Sequence, residues 1–322
     1  MNDFVVAGFG LLILLFAGDA LVKGAVNLSL RLGVPALIVS LTIVAFGTSA
    51  PELLIAVQAV LDDVPGLALG NVIGSNIANI LLVLGLPAIL ARLATRGTDS
   101  RKPFIVMIAA NVLFILLCFF GPLTWVHGLV LLAALILVLA DSFRDARSHM
   151  KAEAEKRADK NVPEGADASM PMSRIVVFLA LGLVGLPLGA DLLVDASVSI
   201  AQSFGIPETV IGLTLVAVGT SLPELATTVM AALRRSADVA LGSVIGSNMF
   251  NLLSIIGVAS LFGAIPVAET FLRIDLWVML GASLLLAPVV FGGYDLGRRW
   301  GFFFAGLYVF YLCILLIFEV PA

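Results

Sequence analysis

Glu52 closes the hexapeptide Gly47-Thr48-Ser49-Ala50-Pro51-Glu52 inside a long apolar run, and Glu224 closes Gly219-Thr220-Ser221-Leu222-Pro223-Glu224 at an offset of 172 residues. A carboxylate at membrane depth costs roughly 2.5–3.5 kcal/mol even on lenient insertion scales, so two of them need a chemical reason. On a helix, Thr48 and Ser49 precede Glu52 by four and three residues, which puts their hydroxyls on its face. Pro51 has no N–H, and its ring clashes with the carbonyl four residues back, so the Gly47 carbonyl leaves the helix ladder. In hydrocarbon such a group is tolerated only where it lines a cavity or finds another partner. The same spacing holds for Thr220, Ser221, Glu224 and the Gly219 carbonyl. A matching face comes from Asn71, Ser75 and Asn79, every fourth residue, and again from Ser243, Ser247 and Asn251.

Brought together, these residues offer two carboxylates and up to ten further oxygens. A hard cation such as Ca²⁺ takes about six to eight oxygen ligands. Neither motif contains Cys or His, which argues against zinc or copper. Ser, Thr and Gly in a membrane helix ordinarily serve packing, Pro51 alone would be a kink, and Glu52 alone could pair with Lys23. The recurrence, polar residue for polar residue at one offset, carries the cation-binding reading.

These residues must be positioned by membrane helices. The chain has 322 residues, 61% hydrophobic and 12% charged, with mean hydropathy +1.13. Soluble chains are about 25% charged, so composition excludes a soluble domain and predicts an all-α polytopic membrane protein. A span needs about 20 apolar residues. Ten are expected, near 4–30, 34–61, 67–91, 103–121, 124–143, 174–203, 206–233, 237–262, 275–292 and 299–319. The first reads as a retained span, because no small-residue cleavage site follows it. Cys118 and Cys313 lie within apolar spans and suggest neither a disulfide nor a thiol metal site.

The polar stretch from Ser142 to Ser173 divides the chain into a first five-helix repeat (1–143), a linker (144–173) and a second five-helix repeat (174–322). Between 33–53 and 205–225, 12 of 21 positions are identical, and between 69–82 and 241–254, 9 of 14, so the halves are internal copies. Asp19 and Asp191 share the offset. Five is odd, so the second copy must cross in the opposite sense, the inverted-repeat plan with a midplane site. Gly70 and Gly74, like Gly242 and Gly246, form small-xxx-small surfaces for close helix contact. On this topology Arg31, Arg92, Arg96, Arg101, Lys102, Arg234, Arg235, Arg298 and Arg299 all share the linker's side, which is therefore cytoplasmic, with both termini outside.

The segments GTSAPE…GNVIGSNIANI (within 33–85) and GTSLPE…GSVIGSNMFNL (within 205–257) resemble the two α-repeats of the sodium/calcium exchanger family, in its compact prokaryotic form without a regulatory domain. The resemblance implies a bacterial or archaeal inner-membrane antiporter. Carried over by position, it implies ion ligation by Thr48, Ser49, Glu52, Ser75, Asn79, Thr220, Ser221, Glu224, Ser247 and Asn251, with main-chain oxygens of Ala45 and Ala217. It also implies that spans one and six slide across a rigid core as the gate. One position departs: many exchangers carry Asp where Asn251 stands, so this site holds two formal charges and not three.

The expected function is exchange of Na⁺ for Ca²⁺ by alternating access, with those ions as substrates, the lipid bilayer as surroundings, and no resident cofactor, enzymatic activity, nucleic acid or obligate protein partner. A proton-coupled exchanger of Ca²⁺ or another divalent ion stays open, because glutamates carry protons. An intramembrane serine protease using Ser49 or Ser221 would need a His base at the same depth, and His127 sits at the outer end of its span. Asp19 precedes Lys23 by four residues and can pair with it, whereas Asp191 faces Asp195 at that spacing, which leaves a role in gating or ion access open. Asp62, Asp63, Asp99 and Asp238 fall at span ends and read most simply as solvated loop charges, with attraction of cations at the outer mouth as the alternative for Asp62 and Asp63.

Overall fold

Apolar runs in hydrocarbon become helices because a helix satisfies its own backbone N–H and C=O groups. The computed structural model describes residues 3–96, 98–153, 167, 169–205 and 217–319, and these form helices with two isolated β-bridges, Leu93 with Leu296 and Leu123 with Ile265. In chain order the helices are α1 (Asp3–Leu32), α2 (Ala36–Thr48), α3 (Ala50–Leu61), α4 (Pro65–Leu90), α5 (Arg101–Phe119) and α6 (Trp125–Glu153). They continue as α7 (Met172–Ser203), α8 (Ala217–Gly219), α9 (Leu222–Leu233), α10 (Ala237–Phe262), α11 (Phe271–Gly292) and α12 (Arg298–Glu319).

Among the described residues eight helices are long and apolar enough to cross a membrane, and the pair α2/α3, bent by 42°, makes up to nine. The bend falls where Pro51 enters the first turn of α3, the position at which a missing N–H is tolerated. α9 is a shorter apolar helix, and the first part of the expected span 206–233 lies outside the described residues. α6 runs to Glu153, past the expected span end at 143. There Lys102 of α5 reaches Asp141 at 2.8 Å and Asp145 at 2.6 Å.

Local geometry recurs at the sequence offset. Pro65–Ala78 and Ala237–Phe250 are α-helical, and each passes into a single π-helical turn, Asn79–Val83 and Asn251–Ile255. Such turns mark functional positions in many helices. The chain reverses with positive φ at Gly33 and Gly205, and again at Asp63 and Arg235.

α4 and α10 lie at the centre, with Ile73, Ile77 and Ile80 packed against Leu241, Val244 and Leu252 in one buried cluster. Close approach of α2 requires Gly246, whose added Cβ would stand 2.4 Å from the Leu41 carbonyl oxygen and 2.6 Å from the Ala45 Cβ. The stretch at the corresponding positions for Gly70 and Gly74, residues 209–217, lies largely outside the described residues. α1 and α7 pack lengthwise as a pair, backbone on backbone where a Cβ on Gly189 would stand 2.9 Å from the Leu14 nitrogen.

Candidate functional site

Four helix segments converge on the two glutamates. Glu52 lies in the first turn of α3 and Glu224 in the first turn of α9, each 1% exposed. A helix N-terminus carries partial positive charge, which favours a carboxylate there. The two halves meet directly: the Ser49 hydroxyl donates to a Glu224 carboxylate oxygen at 3.4 Å. The reciprocal bond is not made, and Ser221 Oγ has no hydrogen-bond partner among the described residues.

Thr48, Ser49, Ser75, Asn79, Ser221, Ser247 and Asn251 are buried, and Thr220 is half-buried. The Thr48 hydroxyl donates to the Ala45 carbonyl at 3.3 Å, and that carbonyl also accepts the Ser49 N–H at 3.1 Å. In the second half the Ser221 N–H turns to Val218, one residue nearer than Ala217. Thr220 Oγ1 lies 3.5 Å from Asn71 Oδ1, which ties the second motif to α4.

The decisive feature is a set of buried oxygens with no hydrogen-bond partner among the described residues. They come in three pairs at the repeat offset: Oε2 of Glu52 and Glu224, Oγ of Ser75 and Ser247, and Oδ1 of Asn79 and Asn251. Each unsatisfied polar group costs about 1–3 kcal/mol, more for a charged one. A buried carboxylate has an effective penalty of several kcal/mol unless an opposite charge compensates it. A hard cation takes about six to eight oxygens, so buried oxygens of this kind are the ligands it needs. Among the described residues no three His, Cys, Asp or Glu side chains are grouped to hold a metal, so neutral oxygens must complete any cation shell.

Two residues that reasoning from every-fourth-residue faces misses stand behind these oxygens. Asn76 Nδ2 donates to the Asn248 main-chain carbonyl at 3.2 Å, and Asn248 Nδ2 donates to that of Asn76 at 3.3 Å. Their Oδ1 atoms accept from Asn251 Nδ2 at 3.0 Å and from Asn79 Nδ2 at 3.1 Å. Both lie inside the repeated Gly-Ser-Asn words, and recurrence was the available signal.

Away from this centre, Arg234, just past the end of α9, donates through Nε to Asp19 on α1. Asp19 also stands 3.6 Å from Lys23, so the intrahelical pair is only part of its environment. Alongside, a Cβ on Gly18 would sit 3.0 Å from the Ala226 carbonyl oxygen of α9. Asp191 and Asp195 are exposed, and neither forms an ion pair among the described residues. His127 accepts the Thr124 N–H at 3.1 Å at the start of α6, so its ring is engaged there.

A family profile described as sodium/calcium exchanger protein matches residues 3–143 and 174–317. The sodium/calcium exchanger MaX1 of Methanosarcina acetivorans is 32% identical over 97% of this chain and 98% of its own. A solved structure of the sodium-calcium exchanger NCX_Mj soaked with 2.5 mM Na⁺ and 1 mM Sr²⁺ superposes with a TM-score of 0.81, at 31% identity over 97% of this chain and 98% of that one. The same exchanger soaked with zero Na⁺ and Ca²⁺ also gives 0.81, at 32% identity over 98% of this chain and 100% of that one.

Proposed function

The chain belongs to the sodium/calcium exchanger family, and from that premise we propose that it moves Ca²⁺ against Na⁺ through one site built from both halves. The ligands are Thr48, Ser49, Glu52, Ser75 and Asn79 with Thr220, Ser221, Glu224, Ser247 and Asn251, joined by the main-chain oxygens of Ala45 and Ala217. The observation that carries this reading is the paired set of buried, unpartnered oxygens on Glu52/Glu224, Ser75/Ser247 and Asn79/Asn251.

The chemistry follows from charge. Two carboxylates in a low-dielectric centre resist movement until one Ca²⁺ or at least two Na⁺ cancel them. Loaded forms reorient and the empty form does not, so exchange prevails over leak. Because both ions use the same oxygens, binding one excludes the other.

The halves, 1–143 and 174–322, cross in opposite senses in ten spans, with 144–173 as the linker between them; the family profile's gap between 143 and 174 supports this division. Basic residues crowd the linker side, which is the cytoplasmic one in a bacterial or archaeal cell membrane. α1 and α7 move as the gate, and Asp19 with Arg234 closes the cytoplasmic path. At the offset of 172 the corresponding pair is Asp191 with Asp62, two acids that repel. The outward-open arrangement is thereby favoured, and negative charge at its mouth draws cations in.

Reconstituted vesicles with Na⁺, K⁺ and H⁺ gradients imposed separately test the coupling. An outward Na⁺ gradient at fixed pH drives ⁴⁵Ca²⁺ uptake. Uptake that follows the proton gradient and ignores Na⁺ would replace this reading with a proton-coupled exchanger.

A further inference from the structure

We propose that Asn76 and Asn248 are positioning residues that fix the amides of Asn79 and Asn251 with oxygen, and not nitrogen, toward the transported cation. The inference rests on the reading that Asn79 and Asn251 ligate the ion. A side-chain amide has two ends of nearly equal size and opposite chemistry: the carbonyl oxygen binds a cation, and the NH₂ group repels it. Nothing intrinsic to Asn79 or Asn251 selects the productive end, so the surroundings must.

The selection can be followed atom by atom. Asn251 Nδ2 donates to Asn76 Oδ1 at 3.0 Å, and Asn79 Nδ2 donates to Asn248 Oδ1 at 3.1 Å. The second pair of amides is itself fixed, because Asn76 Nδ2 meets the Asn248 main-chain carbonyl and Asn248 Nδ2 meets that of Asn76. A main-chain carbonyl only accepts, so rotating either Asn76 or Asn248 by half a turn would set oxygen against oxygen. The polarity of all four amides therefore traces back to two backbone carbonyls. All four side chains are buried to 1% exposure or less, so water does not compete for these positions. What remains unbonded is Oδ1 of Asn79 and Oδ1 of Asn251, the two atoms a cation needs.

Two consequences follow. Each ligand amide is oriented by the opposite half of the chain, Asn79 by Asn248 and Asn251 by Asn76, so neither half presents its oxygen alone. The network is also matched to asparagine at position 251. A carboxylate there needs no orienting, since both its ends are oxygen, and it has no hydrogen to give Asn76 Oδ1.

A double-mutant cycle on the full chain in detergent, with Ca²⁺ alone as the titrant in calorimetry, tests this directly. N76A weakens Ca²⁺ binding by about 10-fold to 100-fold, the range for residues that orient metal ligands. In the N251D background the same substitution has its loss removed or reversed. An equal loss in both backgrounds means that Asn76 only packs, and overturns the proposal, as does wild-type affinity in N76A. E52Q separates the two levels: binding lost in E52Q but kept in N76A defeats the positioning role alone, whereas wild-type binding in E52Q defeats the site itself. Gel filtration and thermal unfolding without Ca²⁺ establish that each variant is folded. Should N76A not fold, the mirror cycle of N248A with N79D decides by the same criteria.

Discussion

Ser49 in the first half of the chain donates its hydroxyl hydrogen to Glu224 in the second, at 3.4 Å. Its counterpart Ser221 has no hydrogen-bond partner among the described residues. The two hydroxyls are therefore unequal, although their motifs differ only at Ala50 and Leu222. S49A removes a proposed ligand oxygen and also a donor to a buried carboxylate, and a hydrogen bond contributes about 0.5–1.5 kcal/mol to stability. S221A removes the oxygen alone. Both variants weaken Ca²⁺ binding, and without Ca²⁺ S49A is less stable than S221A by about 1 kcal/mol. Thermal unfolding of the two purified variants without Ca²⁺ measures the difference, and equal midpoints would contradict it.

The contact between Asp19 and Arg234 bears on the proposed gate. Partly exposed ion pairs contribute up to about 1 kcal/mol, or about fivefold in a two-state ratio. R234Q shifts the population toward the cytoplasm-open form, which hydrogen exchange reads as faster labelling of α1 and α9. The charge-swapped pair D19R with R234D restores slow exchange. Asp62→Arg does the opposite: it puts a cation at the repeat counterpart of Arg234, able to pair with Asp191, the counterpart of Asp19, and favours closure of the outer path. Identical exchange in R234Q and the parent chain would remove Asp19 from the gate.

Much of this was visible in the residues. Ten expected apolar runs and the repeated polar motifs point to a cation-binding membrane protein before any coordinates, because buried carboxylates recurring at one offset need a chemical reason, and the resemblance of those motifs to the exchanger α-repeats implies the exchange. The helix bounds deviate where the hydrophobic signal ends before the helix does, as in α6, which runs on to Glu153 through charged residues. Asn76 and Asn248 escaped because face assignment by every fourth residue selects Asn71, Ser75 and Asn79. Their role depends on the crossing of α4 and α10, which spacing along one helix does not report. Arg234 escaped for the same reason: its partner lies 215 residues away, on α1.

Arg92 and Arg96, after α4, are tied to Asp295, before α12: it takes two bonds from Arg92 at 3.1 and 2.6 Å and the Arg96 N–H at 3.1 Å. Partial burial raises the Asp295 pKa, but the Arg96 amide and the Arg92 guanidinium outweigh it and hold the carboxyl below its ordinary value. A depressed folded-state pKa gives stability that is present above the unfolded value, about 3.9, and lost as pH falls through the folded one. D295N lowers stability at neutral pH by about 0.5–1 kcal/mol, because Arg92 is largely exposed. Thermal unfolding of D295N and the parent converges in acid. A gap that widens there would contradict the assigned sign.

The central claim is that two halves make one site. Calorimetric Ca²⁺ titration of the parent chain, E52Q and E224Q tests it most directly. One Ca²⁺ binds per parent chain, and either substitution alone abolishes that binding while the protein stays folded. Two Ca²⁺ per chain, with one retained in each single variant, would mean that each repeat carries its own site and would contradict the account.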